Sequence, residues 1–119
     1  MPPQRGRKSE RETPDVPAWD DKRTDETRRI EKIFSKEYPT TEAYRFNSAS
    51  IRIRIVDERF EGMSTIDRED MVWPMLDLLP RKTRADVSLL LLLAPSELKG
   101  LNRHSLVNLE FEHPRPSRF

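Results

Sequence analysis

The 119-residue chain has room for one domain of ordinary size, and 36 % charged against 34 % hydrophobic residues leaves that domain a small core. A net charge of +1 excludes a general electrostatic pull towards nucleic acid or anionic membrane, so any such binding needs a local patch. The lack of cysteine excludes disulfides, thiol nucleophiles and thiolate-held metals.

Residues 1–24 are rich in proline and mixed charge, with Val16, Ala18 and Trp19 as scattered apolar groups. So little apolar surface does not offset the entropy of ordering, and the composition predicts a disordered tail. Arg5, Arg7, Lys8 and Arg11 make its first part mildly basic, which suits a solvated tail better than a nucleic-acid-binding arm. The opening "MPPQRGRKSERETP" shows no apolar core of a secretory signal, and the longest apolar run, Leu89 to Ala94, is too short to cross a bilayer. A cytoplasmic protein without a membrane partner is expected.

The folded domain is expected over 25–112, followed by a flexible end at 113–119. Acids after Thr24, then Ile30, Ile33 and Phe34, have the spacing of an amphipathic helix that Tyr38-Pro39 closes. "EAYRFNS" and "SIRIRIV" alternate as two strands of a hairpin turning at "NSAS". In the second strand Ile51, Ile53 and Ile55 share a buried face, and Arg52, Arg54 and Val56 a wet one. After a loop at Gly62, Ser64 and Asp67 cap a helix carrying Met71, Val72, Met75, Leu76 and Leu79. Pro74 in this stretch predicts a late helix start or a kink. "RKTRAD" reads as an exposed turn, and "VSLLLLLAP", apolar on both faces, as a central strand whose Leu90 and Leu92 need a cover. "SELKGL" reads as a short helix capped by Ser96 and stopped by Gly100, and "SLVNLEFEHP", alternating Val107, Leu109 and Phe111 with polar residues, as a strand-like cover for those leucines.

This order predicts a compact α+β domain, a three-stranded sheet covered by helices. The run Ile55-Val56-Asp57-Glu58-Arg59-Phe60-Glu61-Gly62-Met63-Ser64, then Arg68, Val72-Trp73 and Leu76, and finally Ala94-Pro95-Ser96-Glu97-Leu98, resembles the BolA family. Members of that family carry a Phe-x-Gly-x-Ser turn, an Arg-His-Arg helix start followed by Val-Tyr and Leu, and a late Thr-Pro-x-Glu-Trp segment. The resemblance covers Ile30 to Leu98. It implies a fold like the type II KH domain and a non-enzymatic adaptor that binds a protein partner through Phe60, Gly62, Arg68, Glu69 and Trp73. In the family that partner is a monothiol glutaredoxin with a shared iron–sulfur cluster. Here Arg68-Glu69-Asp70 stands in place of Arg-His-Arg, so the cluster's histidine ligand is a glutamate, and neither cofactor nor metal is expected. The Gly-x-x-Gly loop by which KH domains clamp a nucleic-acid backbone is also missing.

The alternative function is nucleic-acid binding by a basic stripe. Arg52 and Arg54, with Arg45 across the hairpin and Arg81, Lys82 and Arg84 in a loop, are its candidates, strengthened if Tyr44 and Phe46 stack among them. A solvated strand face is the plainer account of these charges. Asp67, Glu69 and Asp70 form an acidic trio that suits acid–base chemistry or a hard cation, but acids in a first helical turn already follow from the helix dipole. Trp73 reads as core or core rim, and His104 and His113 as surface residues without a metal spacing.

Overall fold

The computed structural model describes residues 17–98 and 106–114. Most of the expected tail, the helix stop at Gly100, His104 and the end at 115–119 lie outside the described residues.

The folded body begins before the expected boundary at residue 25. A short 3-10 turn at Asp20–Lys22 follows Trp19, whose side chain is 1 % exposed. The indole stacks on Tyr44, with ring centroids 5.2 Å apart, and meets Phe111 edge-on at 5.3 Å. A tryptophan among charges has no periodic partner in sequence; its partners come from far along the chain.

Helix α1 (Asp25–Phe34) starts at Thr24, whose hydroxyl accepts from the Thr27 N–H while the Thr27 hydroxyl accepts from the Thr24 N–H. This reciprocal cap satisfies two otherwise orphaned donors. Thr27, Ile30 and Phe34 face inward, one helical turn apart. Strands β1 (Thr41–Asn47) and β2 (Ser50–Val56) form the expected antiparallel hairpin. At the loop that follows, Gly62 takes φ +75°, and a Cβ there would meet nothing, so the glycine is needed for the sign of φ and not for room.

Helix α2 (Thr65–Leu76) is capped as expected by Ser64, which accepts from the Asp67 N–H at 3.1 Å. It starts early and runs through Pro74, which sits in the last turn. The hydrogen bond a proline forfeits there would have gone to the carbonyl of exposed Asp70, which water can serve. "RKTRAD" is not a turn but helix α3 (Arg81–Asp86), anchored by buried Thr83, whose hydroxyl donates to Glu26 at 2.7 Å.

Strand β3 (Val87–Leu93) pairs parallel to β2, giving the order β1-β2-β3. It is therefore an edge strand rather than the central one. Its apolar character on both faces arises because both faces of the sheet are covered. Leu90 and Leu92 join Ile51, Ile53, Ile55, Phe60 and Val72 in the main core beneath α1 and α2, while Leu89 and Leu91 pack with Trp19, Tyr44 and Phe111 on the other side. The last segment is not a strand but helix α4 (Leu106–Glu112). Asn108 and Phe111, one turn apart, are its buried residues, whereas Leu106, Val107 and Leu109 stay exposed. It does pack on the sheet, though over Leu89 and Leu91 and not over Leu90 and Leu92. The alternation of Val107, Leu109 and Phe111 misled because only one of the three is a core residue.

Candidate functional site

The two free edges of the sheet are treated differently. On β1 the Ala43 N–H donates to the Glu31 carboxylate at 2.9 Å, which blunts that edge with a charge from α1. On β3 the Leu93 carbonyl accepts from the Asp57 N–H, so the register turns the backbone groups of Leu90 and Leu92 outward. Arg68 covers one of these, donating to the Leu92 carbonyl at 2.9 Å. Among the described residues no strand pairs with the outer edge of Leu90.

A groove runs along this edge between β3 and α2. One half is lined by Thr65, Arg68, Glu69, Leu90 to Leu93, Glu97 and, from α4, Val107, the other by Glu69, Trp73, Leu76, Arg84 and Val87 to Leu90, and the halves share Glu69 and Leu90. Trp73 is 56 % exposed and so is not the core residue its sequence context suggests. With Ile66 also exposed, α2 carries two large apolar side chains on an otherwise acidic outer surface beside the strand edge.

The five residues expected to bind a partner divide into two groups. Phe60 is fully buried, stacked on Tyr38 with centroids 6.0 Å apart, and Gly62 sets the turn that follows it. Arg68 is buried too. Its guanidinium donates to the Met63 and Leu92 carbonyls and forks onto both oxygens of Glu97 at 2.7 and 3.1 Å, which ties the start of α2 to the end of β3. These hydrogen bonds from Arg68 hold the Glu97 carboxyl below its ordinary range. Arg68, Glu69 and Trp73 line the groove, whereas Phe60 and Gly62 do not. Sequence reasoning missed Leu90 as a groove residue, because a leucine in an apolar run carries no mark of which edge is open.

The candidate nucleic-acid residues fall on opposite sides of the sheet. Arg45 faces the helices, where it pairs with Glu26 at 2.6 Å and Asp86 at 3.0 Å. Its hydrogen bond is the main reason the Glu26 carboxyl lies below its ordinary range. Arg81, Lys82 and Arg84 belong to α3 on that same side, with Arg84 paired to Asp77. Arg52 and Arg54 lie on the other face together with Tyr44 and Phe46, and this face is not open as the alternation suggests. The Arg52 guanidinium sits 3.8 Å above the Phe46 ring and donates to the Tyr44 hydroxyl and to the Glu110 carbonyl. Arg54, 7 % exposed, binds Glu42 at 2.6 Å, Asn108 at 2.8 Å and Glu112 at 2.9 Å. Burial raises the Tyr44 phenol above its ordinary pKa, and the protonated hydroxyl donates to the Phe111 carbonyl at 2.9 Å.

Asp67, Glu69 and Asp70 are all exposed on α2, and no group of three possible metal ligands comes together among the described residues. His113 is exposed at the end of α4. No helix among the described residues is long and apolar enough to cross a membrane. Comparison with family models, with curated proteins and with solved structures finds no match for this chain.

Proposed function

We propose that this chain is a non-enzymatic, BolA-like adaptor domain that binds a protein partner in the groove between α2 and the edge of β3. The observation that carries this reading is Trp73, a large aromatic side chain left exposed beside a strand edge with outward backbone groups. Aromatic anchors next to an unpaired strand are a recurring way of recognising an extended segment, with backbone pairing giving affinity and side-chain pockets giving specificity. Glu69 in the middle of the groove selects a segment that pairs apolar residues with a basic one. The element order and the resemblance over Ile30 to Leu98 support a type II KH-like relationship. Glu69 in place of an imidazole argues for an adaptor that carries no iron–sulfur cluster, since cluster iron favours thiolate and imidazole over a hard carboxylate.

The test is comparative capture from nuclease-treated extracts of the cells that make the protein, using the full chain, Trp73→Ala and Glu69→Lys. Both positions are exposed, so the variants should keep the fold, which circular dichroism checks. The reading expects one set of proteins to be lost from both variants. Equal recovery by all three forms refutes it.

A further inference from the structure

The second face of the sheet is built unlike a structural core. Its centre holds two arginines, Arg52 and Arg54, among the rings of Trp19, Tyr44 and Phe46, and its cover is the seven-residue helix α4. A buried ion pair contributes little more to stability than well-packed aliphatic residues of the same volume, so arginines are a poor choice if covering the sheet is the only task. The cover itself is slight: α4 buries Asn108 and Phe111 and leaves Leu106, Val107 and Leu109 in solvent. A seven-residue helix held through two buried side chains and hydrogen bonds from Tyr44, Arg52 and Arg54 is short enough to open locally without global unfolding.

What α4 presents to this face has the chemistry of a nucleotide strand. The Phe111 ring lies 4.9 Å from Tyr44, tilted to it, and meets Trp19 edge-on at 5.3 Å, so it fills an aromatic site beside the stacked Trp19–Tyr44 pair that a base would fill in its place. The carboxylates flanking it in sequence lie where phosphates would, Glu112 at 2.9 Å from Arg54 and Glu110 at 3.8 Å from Arg52. Beyond them Phe46, with Arg52 on its ring and the Lys22 ammonium at 6.0 Å, extends the platform. We propose that α4 is a displaceable cover that occupies a single-stranded nucleic-acid site on the sheet, formed by Trp19, Tyr44, Phe46, Arg52 and Arg54. Alternating rings and cations are the general means of holding single strands without sequence preference. Glu42 remains on Arg54 when α4 leaves, so Arg52 and Lys22 supply the larger share of charge. This site lies on the other face of the sheet from Trp73; α4 reaches the groove only through Val107, at its Leu90 to Leu93 end, and the Trp73 half does not involve α4.

The experiment measures fluorescence anisotropy of a labelled oligouridylate of about a dozen nucleotides with the full chain and its variants. Docking of α4 and binding of the strand exclude each other, so freeing the helix raises the apparent affinity by the reciprocal of the fraction already open. Phe111→Ala, and Asn108→Ala with Phe111→Ala as a second variant, are expected to bind about tenfold more tightly than the unaltered chain. The slope of log K against log salt should be about −1.4 to −2.1 for two or three phosphate contacts. Adding Arg52→Gln to Phe111→Ala should remove the gain. Hydrogen exchange of the α4 amides reports whether the helix has left. No gain once it has left, or a gain that survives Arg52→Gln, overturns the proposal, and so does an α4 that stays docked in both variants. Binding of a peptide of residues 106–113 to Phe111→Ala, with no binding of the oligonucleotide, would make the face a receptor for acidic helices and equally overturn it.

Discussion

Replacing Arg68 with methionine removes a guanidinium but keeps an unbranched apolar stem of similar length. The substitution removes the guanidinium donor from the Met63 and Leu92 carbonyls and leaves the Glu97 carboxylate without its fork. Breaking a fully buried pair by removing one partner costs about 3–5 kcal/mol. Glu97 is 34 % exposed, so solvent screens its share, and the bond to the Met63 carbonyl is only partly buried, whereas that to the Leu92 carbonyl is buried. A loss of about 2–3 kcal/mol is expected, which in a domain of this size lowers the melting temperature by on the order of 10–20 °C. Urea unfolding followed by circular dichroism gives the loss directly, with the m-value unchanged because the same surface is exposed. Arg68→Lys keeps the charge without the bidentate geometry and should lose about half as much. A loss below about 0.5 kcal/mol in Arg68→Met would refute the assignment of this residue as the tie between α2 and β3.

Trp19→Ala should destabilise the domain by about 3 kcal/mol, measurable by the same unfolding curves, because it empties a packed site; a residue in a loose tail would give no change. Glu26 and Glu97 have folded-state pKa values below their unfolded ones, so the stability they contribute is fully present above the ordinary glutamate pKa of about 4.3 and is lost as pH falls through the lower folded values. Stability should thus be flat in these groups from pH 8 to 6 and decline below about pH 4.5. The decline should be shallower in Glu26→Gln and in Glu97→Gln; equal acid profiles for the three forms would contradict the pairing with Arg45 and Arg68. Mixed with a monothiol glutaredoxin, iron and sulfide, the chain should give no shared cluster with a histidine-type spectrum, whereas Glu69→His should move it towards one. A mixed cluster in the unaltered chain that disappears on removing His104 or His113 would show those histidines to be ligands.

Much of the fold was legible where a local rule acts alone. The start of α1 at Thr24, the hairpin around Ser48 and Ala49 and the Ser64 cap of α2 each depend on neighbours in sequence, and each stands as read. The failures share another cause, which is that a periodic pattern does not say what lies across from it. The leucines of β3 look central because both faces are covered, yet among the described residues only one edge of the strand is paired. Phe111 sits in an alternating run, yet α4 turns the neighbouring Val107 and Leu109 to solvent. The same limit governed the site. Tyr44 and Phe46 join the face of Arg52 through cross-strand pairing, while Arg45, one residue from Tyr44, points the other way by the alternation of a strand. Trp73 reads from sequence as core or core rim, yet it is 56 % exposed beside an edge with which, among the described residues, no further strand pairs.

The proposed groove is tested most directly by photo-crosslinking from within it. A photoreactive phenylalanine analogue placed at Trp73 in the full chain, and separately at exposed Leu78, is irradiated in the cells that make the protein. The proposed groove predicts one dominant adduct from position 73 and not from 78, with the crosslink mapping to an extended apolar segment of the partner that carries a basic residue. The same adducts from both positions, or none from position 73 while the chain is folded, would contradict it.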